Sequence, residues 1–154
     1  MNPILQSDFV LAQTVCLARS LKHWTGRELV PGASEPAELA HKVFEAPLVV
    51  VSHGTEADPI LNYGNRAALA LWEMSWEELT RTPSRLTAEV PDRKGREKLL
   101  QAVARRGFID DYSGVRISKT GRRFRISRAT IWNLIDANGK NCGQAAMFDR
   151  WEFI

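Results

Sequence analysis

Cysteine and histidine are both scarce in this sequence. The two cysteines, Cys16 and Cys142, lie far apart and form no closely spaced metal-binding pair. The three histidines, His23, His41 and His53, fall in separate segments, so nothing in the spacing points to a metal site. Long hydrophobic runs are missing too. The longest, around Pro47–Val51, is far short of the ~20 residues a bilayer-spanning helix needs. Met1–Asp8 has neither the basic start nor the apolar stretch of a secretory leader. A reducing cytoplasm is therefore the expected location; a Cys16–Cys142 disulfide stays open but has no support in the sequence. Charge of one sign is not in excess: 21 Lys and Arg against 18 Asp and Glu give +3. In Arg116–Arg128 basic residues mostly alternate with apolar ones, as on the wet face of a strand, without interleaved stacking aromatics. Nucleic-acid binding is not expected.

What is present suits a folded domain. A chain of 154 residues, 44% hydrophobic and 25% charged, can enclose one core without covalent staples. Phe9, Val10, Gln13, Cys16, Leu17 and Leu21 approximate one apolar helix face, with Ser7 or Asp8 as its cap. Gly26–Pro36 is a connector rich in glycine and proline. A second helix runs to Phe44, burying Leu39, Val43 and Phe44, and Pro47 marks its end. Leu48–Ser52 and Pro59–Tyr63 read as an antiparallel pair of strands. Asn65 caps a short helix, Arg66–Glu73, and Ser75-Trp76-Glu77-Glu78 is a capping box that starts another. Asp92 opens the longest central helix, with Leu99, Leu100 and Val103 inward and Gly107 as its stop. Three strands follow: Ile109–Ser118, Arg122–Leu134 and Gly143–Phe148. The turn Lys119-Thr120-Gly121 joins the first two, and Asn138-Gly139 supplies the positive φ angles of a tight hairpin. The expected fold is α+β: a five-stranded antiparallel sheet with short helices on one face, plus N-terminal helices.

Strand alternation selects candidate site residues. On Arg122–Leu134 the more apolar face carries Phe124, Ile126, Arg128, Thr130, Trp132 and Leu134, which draws Arg128 inward. A buried guanidinium needs a charge or strongly polar partner, and Asp111 on the preceding strand is a candidate. Arg128 thus reads either as half of an internal ion pair or as the fork awaiting a ligand's carboxylate or phosphate. A bulge near Ser127, hinted at by Ala129 and Ile131, would exchange the two faces. Trp72, Trp76 and Trp132 suit cavity walls, Tyr63 and Tyr112 offer hydroxyls, and Arg85 and Arg116 are further cations. The loop Ser52-His53-Gly54-Thr55-Glu56-Ala57-Asp58 combines a base, hydroxyls and carboxylates. It reads either as a turn with local hydrogen bonds or as the core of a small enzyme site. Gly26–Gly32 lacks the Lys-Ser/Thr of a phosphate loop, and no Gly-x-Ser-x-Gly elbow occurs.

The order of elements resembles that of PAS domains. So do Ile60-Leu61-Asn62-Tyr63-Gly64-Asn65-Arg66-Ala67-Ala68 with Ser75-Trp76-Glu77-Glu78-Leu79, and the late turns Ser118–Phe124 and Asp136–Lys140. More specifically the chain resembles the MEKHLA family. The words that carry this are Ala46-Pro47-Leu48-Val49-Val50-Val51-Ser52-His53-Gly54-Thr55-Glu56-Ala57-Asp58-Pro59, Trp76-Glu77-Glu78-Leu79, Pro83-Ser84-Arg85-Leu86 and Ile109-Asp110-Asp111-Tyr112-Ser113-Gly114-Val115-Arg116. The likeness spans roughly Leu39 to Phe148. The same domain closes plant class III homeodomain–leucine-zipper proteins, so the resemblance implies signalling or protein contact. With neither homeodomain nor zipper here, transcription-factor activity does not carry over.

The resemblance also frames the cofactor question. PAS haem sensors commonly use a histidine of the central helix, and Asp92–Gly107 contains none. A flavin–cysteine adduct needs a cysteine among the short helices, and Arg66–Pro91 has none. A noncovalent organic ligand, flavin included, stays open. The resulting expectation is an N-terminal helix and connector over 1–36 and a PAS-like domain over 37–154. That domain binds a small organic molecule at Tyr63, Trp72, Trp76, Arg85, Tyr112, Arg116, Arg128 and Trp132, or binds a protein. Self-association through the N-terminal helices is expected as well. The rival reading is an enzyme using His53, with arginines orienting an anionic substrate; a metal is not expected in either.

Overall fold

A computed structural model describes residues 2–32, 35–88 and 93–154, apart from the side chains at 93, 96 and 100. The expected cap at Asp92 and the side chain of Leu100 lie outside the described residues. After a 3-10 turn, Pro3–Gln6, the elements are α1 (Asp8–Thr25), α2 (Pro36–Glu45), β1 (Val49–His53), β2 (Leu61–Gly64), α3 (Arg66–Trp72) and α4 (Trp76–Leu79). A 3-10 turn at Ser84–Thr87 leads to α5 (Arg93–Arg106), β3 (Phe108–Ile117), β4 (Arg123–Ile135), β5 (Asn141–Phe148) and β6 (Arg150–Phe153).

The sheet is antiparallel throughout, in the order β2-β1-β5-β4-β3. β6, absent from the sequence reading, pairs with Phe124–Ser127 of β4 and so prolongs the edge that β5 leaves at Phe148. Local signals fix most boundaries. Asn65 Oδ1 accepts from Ala68 N at 3.1 Å, capping α3. Ser75 and Glu78 exchange both bonds of the capping box. Gly107, at φ +88°, ends α5.

Two layers of helix enclose the sheet. On one face α1 lays Val10, Leu17 and Leu21 against Val50, Trp132, Leu134 and Ala145. The stripe expected on α1 is therefore buried within the chain itself, except Phe9, which is 49% exposed. On the opposite face α3 sets Ala68, Leu71 and Trp72 against Phe124, Ile126, Ala129 and Phe148. Beside them α5 packs Leu99 and Val103 on Ile131. No helix among the described residues is long and apolar enough to cross a membrane.

The inward face expected for β4 is corrected by two bulges. Tyr112 pairs with Ala129 but Gly114 pairs with Ile126, so Ser127 and Arg128 together face one residue of β3. Arg128 adopts φ +53°, the left-handed conformation such an extra residue needs. Beyond it Ala129 and Ile131 continue the face of Phe124 and Ile126, and Thr130, Trp132 and Leu134 turn toward α1. Arg128 is exposed. A matching bulge at Asp110–Asp111 places Asp111 at φ +61°, also exposed. The proposed inward Arg128–Asp111 pair does not form, because both residues stand at the outward kinks of their strands.

Candidate functional site

Between the sheet and α3, α5 and the 3-10 turn lies a cavity of about 70 Å³. Leu61, Leu99, Ile126, Ile131 and Phe148 supply its apolar wall; His53, Ser84, Thr87, Arg116 and Gln144 supply polar groups. Trp72 closes one side. It meets Phe124 and Phe148 edge to face, with ring centroids 5.4 and 6.1 Å apart. Lys119 N donates to its carbonyl at 3.1 Å. The next residue, Glu73, accepts from the Ser118 hydroxyl at 2.6 Å, and that bond with Thr120 beside it holds the Glu73 carboxyl below its usual range. The β3–β4 turn thus pins the end of α3. Trp72 Nε1 is buried and has no hydrogen-bond partner among the described residues.

Arg116 brings a cation to this wall. It is 7% exposed; its Nη1 donates to Val115 O at 2.9 Å and its Nη2 to Tyr112 Oη at 3.1 Å. Tyr112 lies under the guanidinium at 5.4 Å from ring centroid to Cζ. Gly114 makes room, since a Cβ there would sit 2.4 Å from the Tyr112 hydroxyl. His53, the last residue of β1, points its ring into the cavity. Its Nδ1 lies 2.8 Å from Gly54 O, which can only accept, so Nδ1 is the donor of that bond.

The chain places the remaining candidates elsewhere. Ser52 points to the opposite face, where its hydroxyl donates to Asn62 Oδ1 at 2.6 Å and accepts from Gln13 Nε2 at 3.1 Å. Asp58 pairs with Arg85 at 3.1 Å on the surface, and Glu56 accepts from Ile60 N at 3.3 Å. The loop after β1 therefore turns Ser52 away from the cavity face and ties Asp58 to Arg85 at the surface. Tyr63, Trp76 and Trp132 belong to the α1 side of the sheet. Trp132 Nε1 donates to Leu17 O at 3.2 Å, and Tyr63 packs edge to face on Trp76 at 5.7 Å. Burial pushes the Tyr63 hydroxyl far above its ordinary pKa, against a smaller opposing effect of Thr14. Of the expected ligand residues, the structure gathers Trp72 and Arg116 at the cavity, with Tyr112 behind Arg116. Ser84, Thr87 and Gln144 were not anticipated, because a 3-10 turn and one position of an alternating strand leave no periodic signal. Among the described residues no group of three His, Cys, Asp or Glu could hold a metal ion.

A model of the MEKHLA domain matches residues 11–153. The chain belongs to the MEKHLA family. Two curated relatives are plant proteins of Arabidopsis thaliana. Homeobox-leucine zipper protein ATHB-14 is 25% identical over 142 residues, covering 90% of this chain and 17% of its own. Homeobox-leucine zipper protein ATHB-9 is 26% identical over 103 residues, covering 65% and 12%. This MEKHLA chain therefore spans less than a fifth of either relative. Solved structures with a similar fold include PAS and light-oxygen-voltage domains. A PAS domain of a protein from Colwellia psychrerythraea superposes with TM-score 0.62 at 16% identity, covering 75% of this chain and 92% of that one. The fungal blue-light photoreceptor Vivid, as its light-state dimer, gives 0.58 at 14%, covering 84% and 88%. A light-oxygen-voltage domain studied with a flavin analogue gives 0.58 at 19%, covering 75% and 84%.

Proposed function

We propose that this MEKHLA domain is a sensory module that takes up a small, polar or anionic molecule in the cavity between sheet and helices. The observation that carries the reading is the buried, unpartnered Trp72 Nε1 donor on the wall of a cavity to which Arg116 also contributes. A buried donor left unpaired costs about 1–3 kcal/mol, and an acceptor atom in the cavity removes that cost. Size restricts the class. About 70 Å³ is roughly two waters' worth of liquid volume, far below the ~300–1,000 Å³ of drug-sized pockets. A small carboxylate fits the chemistry and approaches the volume; a flavin is too large for it.

Transmission follows from strand alternation. Ile131 and Ala146 face the cavity, while their neighbours Trp132 and Ala145 support α1. An occupant pressing on the first pair shifts the surface on which α1 rests. In this reading residues 1–36 report and 37–154 sense, within the cytoplasm. Self-association through the N-terminal helices then draws on exposed Phe9, since Val10, Leu17 and Leu21 are already used. The small volume also favours a second reading, a protein-contact domain whose cavity holds only water.

Native mass spectrometry of the purified chain, followed by thermal-shift titration with formate, acetate and phosphate, separates the two. Arg116→Met is expected to weaken binding of the responding anion at least tenfold while leaving the fold intact by circular dichroism. Wild-type protein with no retained small molecule and no response to any of the anions supports the contact domain instead.

A further inference from the structure

We propose that Cys16 and Cys142 form a dithiol site that a small disulfide converts into an internal disulfide, tying α1 covalently to β5. The two Sγ atoms, 126 positions apart in sequence, lie 3.7 Å from each other, in direct contact. A third bulge puts them there. Leu134 pairs with Gly143 and Ile135 with Asn141, so Cys142 is the extra residue, released from alternation and turned toward α1. Cys16 meets it from the buried stripe of α1, its Sγ also 3.8 Å from Ser20 Oγ and 3.5 Å from Ile135 O. Both cysteines are free thiols. Both line a surface groove of about 580 Å³ between α1 and the β4–β5 turn, together with Ala12, Arg19 and Asp136, so a reagent reaches the half-buried Cys142 from solvent, with Cys16 buried behind it. Bond formation needs the sulfurs to close to about 2.05 Å.

The exchange balances without a cofactor. The Cys142 thiolate attacks one sulfur of the small disulfide, breaking its S–S bond and expelling one thiolate. Cys16, after losing its proton to solvent, attacks the Cys142 sulfur and expels the second thiolate. Two protein S–H bonds are replaced by one protein S–S bond; two electrons pass to the small disulfide, and two protons convert its halves to thiols. Burial first, and then the neighbouring Cys16, push the Cys142 thiol up to about 11. The thiolate is therefore scarce at neutral pH, and exchange accelerates about tenfold per unit as pH rises toward that value. The site is slow, selecting for sustained rather than brief oxidising conditions. It does not depend on what the cavity binds.

The test incubates the full chain with oxidised glutathione at mildly alkaline pH, then alkylates under denaturing conditions and measures intact and peptide masses. The expected product has lost two hydrogens, takes up no alkylating agent and yields a linked Cys16–Cys142 peptide pair, all reversed by dithiothreitol. Its thermal midpoint rises by on the order of 10 °C, since a long loop is closed. Cys142→Ser, which keeps the size of the side chain, is expected to show no such rise. Two alkylatable thiols after treatment, a persistent glutathione adduct, or interchain dimers would each overturn the proposal.

Discussion

Replacing Asn65 with alanine is expected to destabilise the domain by about 3–5 kcal/mol, read as a lowered midpoint of urea unfolding at unchanged slope. Asn65 has no exposed surface and uses both ends of its amide twice. Its Oδ1 accepts from Val50 N and Ala68 N, each at 3.1 Å. Its Nδ2 donates to Val43 O at 3.0 Å and Leu48 O at 2.7 Å. One side chain thereby joins α2, the residue before β1, β1 itself and the first turn of α3. Alanine leaves Val50 N, Ala68 N and Leu48 O short of a partner where water has little access, at about 1–3 kcal/mol each before relaxation, and leaves Val43 O only its bond from Ala46 N at 3.4 Å. Asn65→Asp separates the two halves of this role. It keeps the acceptors but turns a carboxylate toward two carbonyl oxygens. Burial and those oxygens raise the folded-state pKa of that new carboxyl above its unfolded value. The variant is therefore most stable at low pH and loses stability as pH rises through the raised value. A loss under 1 kcal/mol for the alanine variant would remove Asn65 from this central position.

Gly143→Ala is expected to cost about 3 kcal/mol or more, and to disturb the cavity as well as the fold. Gly143 adopts φ +151°, and a Cβ there would stand 2.3 Å from the carbonyl oxygen of His53. That neighbour is backbone, held by β1–β5 pairing of His53 with Gln144, so it cannot swing aside as a side-chain tip does. Relief requires the two strands to part where His53 and Gln144 both line the cavity. Gly139→Ala is the control. Its φ of +78° is also left-handed, but no atom lies within 4 Å of the added carbon. It should lose only the roughly 1 kcal/mol of an unfavourable backbone angle. Equal losses for the two variants would show that steric approach at Gly143 contributes nothing.

These cases mark how far local sequence carries. The cap that Asn65 gives α3, the Ser75–Glu78 box and Gly107 are readable because each acts on residues within a turn of itself; the hairpin at Asn138-Gly139 is readable too, but only Gly139 takes the positive φ expected of both. The face of β4 was readable only as two alternatives, because period-two alternation holds only while each residue opposes one partner; the structure takes the one with a bulge near Ser127. The Ser127–Arg128 bulge breaks that condition midway, sending Arg128 to solvent and Trp132 to the α1 layer. Ala129 next to Ile131 was the only hint. The stripe on α1 was visible, but its destination was set partly by residues more than 100 positions later, Trp132, Leu134 and Ala145. For the same reason the cavity came through in part. Arg116 and Trp72 stood out by type, whereas Ser84, Thr87 and Gln144 acquire their place only when the 3-10 turn and β5 close around them. The Cys16–Cys142 contact depends on another bulge and was equally hidden.

The docking of α1 on β4 bears on how the chain is made. Leu17 and Trp132, joined by a hydrogen bond, are 115 residues apart. At about 5–20 residues per second a ribosome needs roughly 6–23 s to travel from one to the other. Throughout that interval the oily side of the first helix has α2 and β1 to rest on, but not the part of the sheet formed by β4 and β5. Growing chains should therefore gain from holdase protection until β4 and β5 emerge, and α1 completes its docking only after they do.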